Sequence, residues 1–92
     1  MGRIGVLLSG CGAKDGSEIH ESVITLLALD QAGVKVSTFA PNTNQHHVVD
    51  HLISKELHQS RNILSESARI ARGNILPIED INNSDLDALI LP

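Results

Sequence analysis

The sequence predicts an α/β fold: one half of a doubly wound domain, with a parallel sheet of about three strands. Three observations carry that reading. Residues 4–8, Ile-Gly-Val-Leu-Leu, are apolar without alternation, as expected of a strand covered on both faces. They lead into a glycine-rich turn, Ser9-Gly10-Cys11-Gly12-Ala13-Lys14-Asp15-Gly16, and then into a helical pattern. After Gly33 a second run rich in β-branched residues, 34–40, reads as another strand. A strand-helix-strand order of this kind gives a parallel pair with a right-handed crossover.

The elements follow in order. The first helix is predicted over residues 16–32, with Ile19, Val23, Leu26 and Leu27 on one stripe. Ile24, Ala28 and Leu29 widen that stripe and predict cover on more than one side. Asp15 and Glu18 are spaced as a capping box at its start, and Gly33 ends it. Residues 41–45 are a polar loop. Residues 46–58 read as a short helix or an irregular excursion. The helical pattern returns from Ser60, with Ile63, Leu64, Ala68 and Ala71 on the buried side and Gly73 as the stop. Residues 75–78, which include Pro77, are an extended connection, and residues 81–85 are a polar turn. Residues 86–91 form the third strand, with Asp87 near its start. The expected strand order is 2-1-3, which leaves the third strand as an unpaired edge.

Composition narrows the partners. The 92 residues amount to one small domain. A formal charge of −4 and the lack of a basic run argue against nucleic acid. One Phe, with no Trp or Tyr, argues against ligands held by aromatic stacking. The single cysteine excludes an internal disulfide and fits a reducing compartment. No apolar run is long enough to cross a bilayer, and Met1 is followed at once by the first strand, which predicts no signal or transit peptide. A small molecule is therefore the expected partner, with no membrane and no nucleic acid.

Chemistry is expected at the carboxyl end of the first strand, where open α/β sheets bind ligands. Glu21 stands in the first turn of the helix, where the helix dipole favours a carboxylate. Buried against a thiol it would instead hold a proton, and could shuttle it. Cys11 has flanking glycines and a following helix N-terminus, which favour thiolate, although lining the pocket is the simpler role. Gly10 and Gly12 would either bring backbone amides to an anionic group or simply form a tight turn. Asp15 and Ser17 would either touch substrate at the pocket mouth or cap the helix, and capping is preferred.

Several motif readings fail. Asp15 occupies the third glycine position of a dinucleotide fingerprint, and Gly-Lys-Ser/Thr is absent. His20-Glu21 begins like a zinc-protease helix, but position 24 is Ile. His47 and His51 are four residues apart among His46 and His58, yet they lack a complete ligand set; a solvated polar face is expected, with no metal and no cofactor. Arg61, Arg69 and Arg72 are expected on an exposed helix face, with Arg61 a candidate for contact with an anionic substrate.

These residues resemble a known group. Residues 4–12, the segment Asp15-Gly16-Ser17-Glu18-Ile19-His20-Glu21, Phe39-Ala40-Pro41, Arg61-Asn62-Ile63-Leu64, Ala68-Arg69-Ile70-Ala71-Arg72-Gly73 and Leu86-Asp87-Ala88-Leu89-Ile90-Leu91-Pro92 are similar to the opening of the glyoxalase ElbB family. That family carries the name of isoprenoid (lycopene) biosynthesis and belongs to the class I glutamine amidotransferase-like, PfpI-like proteins. The resemblance implies a flavodoxin-like sheet, with residues 1–92 as the N-terminal portion of one domain. It implies conversion of glyoxal-type dicarbonyls to hydroxy acids, or protein deglycation, by a cysteine on a turn after a later strand. It also implies that Glu21 hydrogen-bonds that cysteine, that Cys11 is not the nucleophile, and that the full-length protein is a cytoplasmic homo-oligomer. The 92 residues alone are then expected to be inactive. The other readings are a non-catalytic binding or interaction domain, and an inactive truncated product.

Overall fold

The computed structural model describes residues 2–92. The chain runs β1 (Arg3–Leu7), α1 (Ile19–Gln31), β2 (Lys35–Ala40), β3 (Val48–Asp50), β4 (Lys55–Leu57), α2 (Ile63–Ala71), β5 (Leu76–Pro77) and β6 (Ala88–Ile90). Single 3-10 turns at Ile78–Asp80 and Asn83–Asp85 lie between the last two strands. The main sheet is parallel, in the order β5-β2-β1-β6. The predicted 2-1-3 arrangement survives in β2-β1-β6, where Ile4 pairs with Val36 on one side and Ala88 on the other. The architecture is the flavodoxin-like α/β type expected from the sequence.

The fourth strand is a correction. Leu76 and Pro77, expected as a connection, pair with Phe39 and Ala40 of β2. Proline is tolerated there because an edge strand leaves one side of its backbone unpaired. The third predicted strand is shorter than expected, Ala88–Ile90, and its start is held by Asp87. The Arg3 amide donates to Asp87 Oδ2 at 3.0 Å, and the Asp87 amide donates to the Arg3 carbonyl at 2.9 Å.

Topology explains where the helices go. From β1 to β2 to β5 the chain moves one way across the sheet, so two right-handed crossovers place both helices on one face. Leu26 of α1 and Ile70 of α2 accordingly border, with Val36 and Thr38, a cleft of about 320 Å³. The return from β5 to β6 reverses direction and passes the opposite face. Residues 78–87 make that return without a full helix and leave a cavity of about 510 Å³ beside Arg3, Ser37, Phe39 and Leu86.

Among the described residues the buried apolar side chains are Val6, Leu8, Phe39, Ala40 and Val48. They gather near the carboxyl ends of β1 and β2, beside the segment that follows β2. Burying one such larger side chain stabilises the fold by about 1.5–3 kcal/mol.

Residues 46–58 form neither a helix nor an irregular excursion. Val48 to Asp50 and Lys55 to Leu57 make an antiparallel hairpin, with Val48 opposite Leu57 and Asp50 opposite Lys55. Val48 and Val49 are β-branched, Val48 meets Leu57 and Asp50 meets Lys55 across the ladder, and Ser54 takes a positive φ of 56° to close the four-residue turn. Leu52 and Ile53, which made the segment look helical, sit exposed in the turn.

Both helices start later than predicted. α1 begins at Ile19 with Glu18 as its N-cap; the Glu18 carboxylate accepts from the Glu21 amide at 3.0 Å. The Asp15–Glu18 capping box does not form, because Asp15 is engaged elsewhere. α2 begins at Ile63, capped by Asn62, whose side-chain oxygen accepts from the Ser65 amide at 2.8 Å. The residues before it are held in extended form: the Gln45 amide donates to the Arg61 carbonyl and the Ile63 amide to the Thr43 carbonyl, each at 2.8 Å.

Candidate functional site

The loop from Leu8 to Glu18 leaves the carboxyl end of β1 and closes on itself. The Ser9 amide donates to Ser17 Oγ at 2.8 Å, and the Ser17 amide returns to the Ser9 carbonyl at 2.9 Å. The Gly12 amide donates to the Ser17 carbonyl at 3.0 Å. Gly10 has φ 86°, a left-handed conformation that glycine adopts without a Cβ penalty. Ser17 is therefore a buried loop brace, neither the predicted helix cap nor a group at the pocket mouth.

α2 supplies the second anchor. The Gly10 amide donates to Ser67 Oγ at 2.8 Å in a buried contact. Ser67 lies four residues after Ile63 on the buried side of α2, and it is fully buried. A hydroxyl in an otherwise apolar stripe was the sequence clue to this anchor, and sequence reasoning did not single it out.

The hairpin supplies the third. Asp15 Oδ2 accepts from the Val49 amide at 2.8 Å, and the Asp15 side chain is only 8% exposed. The Asp15 carbonyl accepts from Gln45 Nε2 at 3.2 Å. The Lys14 amide donates to His51 Nε2 at 3.0 Å, and the Lys14 carbonyl lies 3.3 Å from His47 Nε2. The Lys14 ammonium contacts Ser54 Oγ. Asp15 thus ties the loop to the hairpin; His46, His51 and His58 are exposed, as a solvated polar face requires, while His47 is partly covered and both His47 and His51 also contact the loop. Among the described residues no group of three or more His, Cys, Asp and Glu is arranged to hold a metal ion.

These bonds decide what the glycine turn can offer. The amides of Ser9, Gly10, Gly12, Lys14 and Ser17 all have acceptors within the chain. Gly10 and Gly12 therefore build a tight turn and have no free amides for an anion cradle. Gly12 must lack a side chain because a Cβ there would meet Asp15 Oδ1 and come within 3.0 Å of the His51 ring. Between the loop, residues 45–47 and the start of α2 lies a cavity of about 380 Å³, bordered by Ser9, Lys14, Asp15, Gln45, His47 and Ile63.

Cys11 is half-buried, and its thiol is pushed up from the ordinary range. Burial is the main cause; Glu66 and Asp15 add to it, while Arg69 opposes it. The expectation that the turn favours thiolate is reversed, because burial disfavours the charged sulfur and the nearby Glu66 and Asp15 carboxylates add to that. Glu66 itself lies 3.2 Å from Arg61 and 3.5 Å from Arg69.

Glu21 stands in the first turn of α1 with its side chain exposed. Within this chain the buried Glu21–thiol pair does not form. Glu21 and the loop leave the same stretch, but the hydrogen-bond network described above runs through Asp15, Ser17, His51 and Ser67.

No protein-family model matches the chain. Individual proteins do match. The human glutamine amidotransferase-like class 1 domain-containing protein 3, mitochondrial, is 45% identical over 98% of this chain and 34% of its own length. The zebrafish (Danio rerio) ES1 protein, mitochondrial, is 38% identical over 97% of the chain and 35% of its own length. The chain therefore spans about a third of the length of these curated relatives. An isoprenoid biosynthesis protein with an amidotransferase-like domain from Ehrlichia chaffeensis superposes on the whole chain with a TM-score of 0.97 at 48% identity, across 43% of its own chain. Over the residues that it spans, the chain is a homologue of the glutamine amidotransferase-like class 1 domain proteins, with the fold of an amidotransferase-like isoprenoid biosynthesis protein, as the ElbB-type resemblance implied.

Proposed function

We propose that these residues are the N-terminal portion of an ElbB-type glyoxalase or deglycase-like enzyme, which converts small dicarbonyls such as glyoxal to hydroxy acids. The observation that supports this best is the pairing of a fixed loop with a free acid. The loop at the carboxyl end of β1 is held from itself, from α2 and from the hairpin, while Glu21 stands exposed one helical turn behind it.

On this reading a thiol from a longer chain adds to one aldehyde carbon of glyoxal, and the carbonyl oxygen takes up the proton. Glu21 removes the proton from that carbon and returns it to the neighbouring one, while the hydroxyl proton passes to the neighbouring oxygen. The resulting thioester is hydrolysed by water, which releases the hydroxy acid and restores the thiol. Proton transfer by a positioned carboxylate contributes about 10²–10⁴-fold to such a rate. Gly10, Cys11, Gly12 and Asp15 form the wall against which the substrate rests. Cys11, with its thiol held up, serves as that wall and not as the nucleophile. The enzyme needs no cofactor, works as a homo-oligomer, and sits in the cytoplasm. The name of isoprenoid biosynthesis records a metabolic context.

One observation favours a second reading, a non-catalytic binding or interaction domain: Glu21 is exposed and paired with no thiol in this chain. Two measurements separate the readings. The intact mass of the natively expressed protein, with the reading frame beyond Pro92, shows whether a later cysteine is available. Glyoxal turnover by that protein is then compared with Glu21→Gln. A loss of about 100-fold or more, with folding intact, is expected. Undiminished turnover, or no turnover in the parent, overturns the enzymatic reading.

A further inference from the structure

The His51 imidazole joins the hairpin to the loop through both of its nitrogens. Nδ1 lies 3.0 Å from the Val49 carbonyl and Nε2 lies 3.0 Å from the Lys14 amide nitrogen. A carbonyl only accepts and an amide only donates. Both bonds therefore form together only in a neutral ring with its proton on Nδ1. The ring also packs on Gly12, where an added Cβ would come within 3.0 Å of Cε1 and 3.2 Å of Nε2.

We propose that the β3–β4 hairpin is a pH-sensitive clasp on the loop after β1, with His51 as its latch. A second proton makes both ring nitrogens donors. Nε2–H then faces the Lys14 N–H, and that hydrogen bond is lost. An acceptor stands close by: Asp15 Oδ1 is 3.9 Å from Nε2. The charged ring turns from the loop backbone to the Asp15 carboxylate, whose other oxygen is occupied by the Val49 amide.

The other charged or titratable groups around the clasp do not offer the ring a rival partner. The Lys14 ammonium is on Ser54 Oγ, and His47 Nε2 faces the Lys14 carbonyl. Asp50 Oδ1 accepts from the Leu52 amide, and Lys55 stands opposite Asp50 in the ladder. Imidazole is the side chain whose second proton is most readily gained or lost near physiological pH. Release of the clasp frees the Lys14 segment and widens the 380 Å³ cavity beside it. None of this depends on the glyoxalase reading.

The test uses the natively expressed protein with ¹⁵N-labelled histidine and backbone. Long-range ¹H–¹⁵N spectra at pH 8 should show His51 as the Nδ1–H tautomer. Solvent-exchange NMR, corrected for the intrinsic rate, should show protection of the Lys14 amide falling roughly tenfold as the His51 ring titrates. His51→Gln, which keeps a neutral acceptor, should flatten that dependence, and His47→Gln should leave it in place. An Nε2–H tautomer at pH 8 overturns the proposal. So does Lys14 protection that stays constant while the His51 ring takes up its proton. Both of these outcomes are read in the parent protein, so a variant that fails to fold does not rescue the idea.

Discussion

α1 and α2 pack on the same face of the sheet beside β2, and they meet solvent differently. α2 buries Ser67 against the loop and sets Glu66 between Arg61 and Arg69, so its buried side and its charged side are distinct. α1 buries only Ser22 fully and leaves Ile24 62% and Leu27 51% exposed. Leu89 and Leu91, on and beyond the β6 edge, are exposed as well. A helix that is apolar on most sides belongs in a larger core. α2 closes on the loop within these residues, although Leu52 and Ile53 of the hairpin turn stay exposed, whereas α1 and β6 leave Ile24, Leu27, Leu89 and Leu91 with less cover than their apolar character calls for. Relatives about three times as long have the chain to supply it.

Substitutions can break or sharpen this contrast. Leu8→Ala removes a fully buried side chain below the loop, and a loss of about 2–5 kcal/mol is expected in chemical denaturation. Ser67→Val leaves the buried Gly10 amide without its acceptor and should cost about 1–3 kcal/mol. An amide-exchange map should place that damage in the loop. Retained protection at Gly10 would mean that α2 is no anchor.

Ile24→Lys sharpens the contrast from the other side. In the 92-residue chain its effect on stability should stay within about 0.5 kcal/mol, as for a surface position. In the longer, natively expressed protein the same change should cost at least about 1.5–3 kcal/mol, the value of a buried aliphatic side chain. Equal effects in the two would show that α1 is uncovered in both.

The smallest effect concerns Cys11. Its thiol is raised in the fold, so the stability that this gives is present below the ordinary thiol range and is lost as pH rises through the raised value. Stability of the parent should therefore fall toward alkaline pH more steeply than that of Cys11→Ser. In alkylation profiles Glu66→Gln should move the thiol midpoint down and Arg69→Gln should move it up. A midpoint that ignores Glu66 would detach the cysteine from α2.

Much of the fold was legible in local pattern. An apolar run without alternation marked β1, β-branched residues marked β2, helical spacing marked α1 although Ile19, Val23 and Leu27 of its stripe are exposed, and Gly33 ended the helix with φ 71°. Boundaries failed where a side chain chose a distant partner over a local one. Asp15 has the spacing of a helix cap, yet its carboxylate bonds the Val49 amide, 34 residues away. Leu76 and Pro77 carry no strand pattern and pair only because β2 offers them an edge. In the site, the position of Glu21 on the first turn and the turn-forming glycines were legible. The parts played by Ser67, His51 and Glu66 were not, because none belongs to a local motif.

The sequence by itself determined the α/β class, the 2-1-3 core order and the place of the loop. These follow from hydrophobic period, glycine placement and the handedness of crossovers, all of which act over neighbouring residues. The tertiary structure alone decided that residues 46–58 are a hairpin, that α2 takes the Gly10 amide and the hairpin turn the Lys14 amide, and that burial, with Glu66 and Asp15 adding to it, raises the Cys11 thiol. Those outcomes depend on which donors and acceptors meet across the fold. Buried polar groups must find partners wherever the chain brings them, and sequence spacing does not say which they will be.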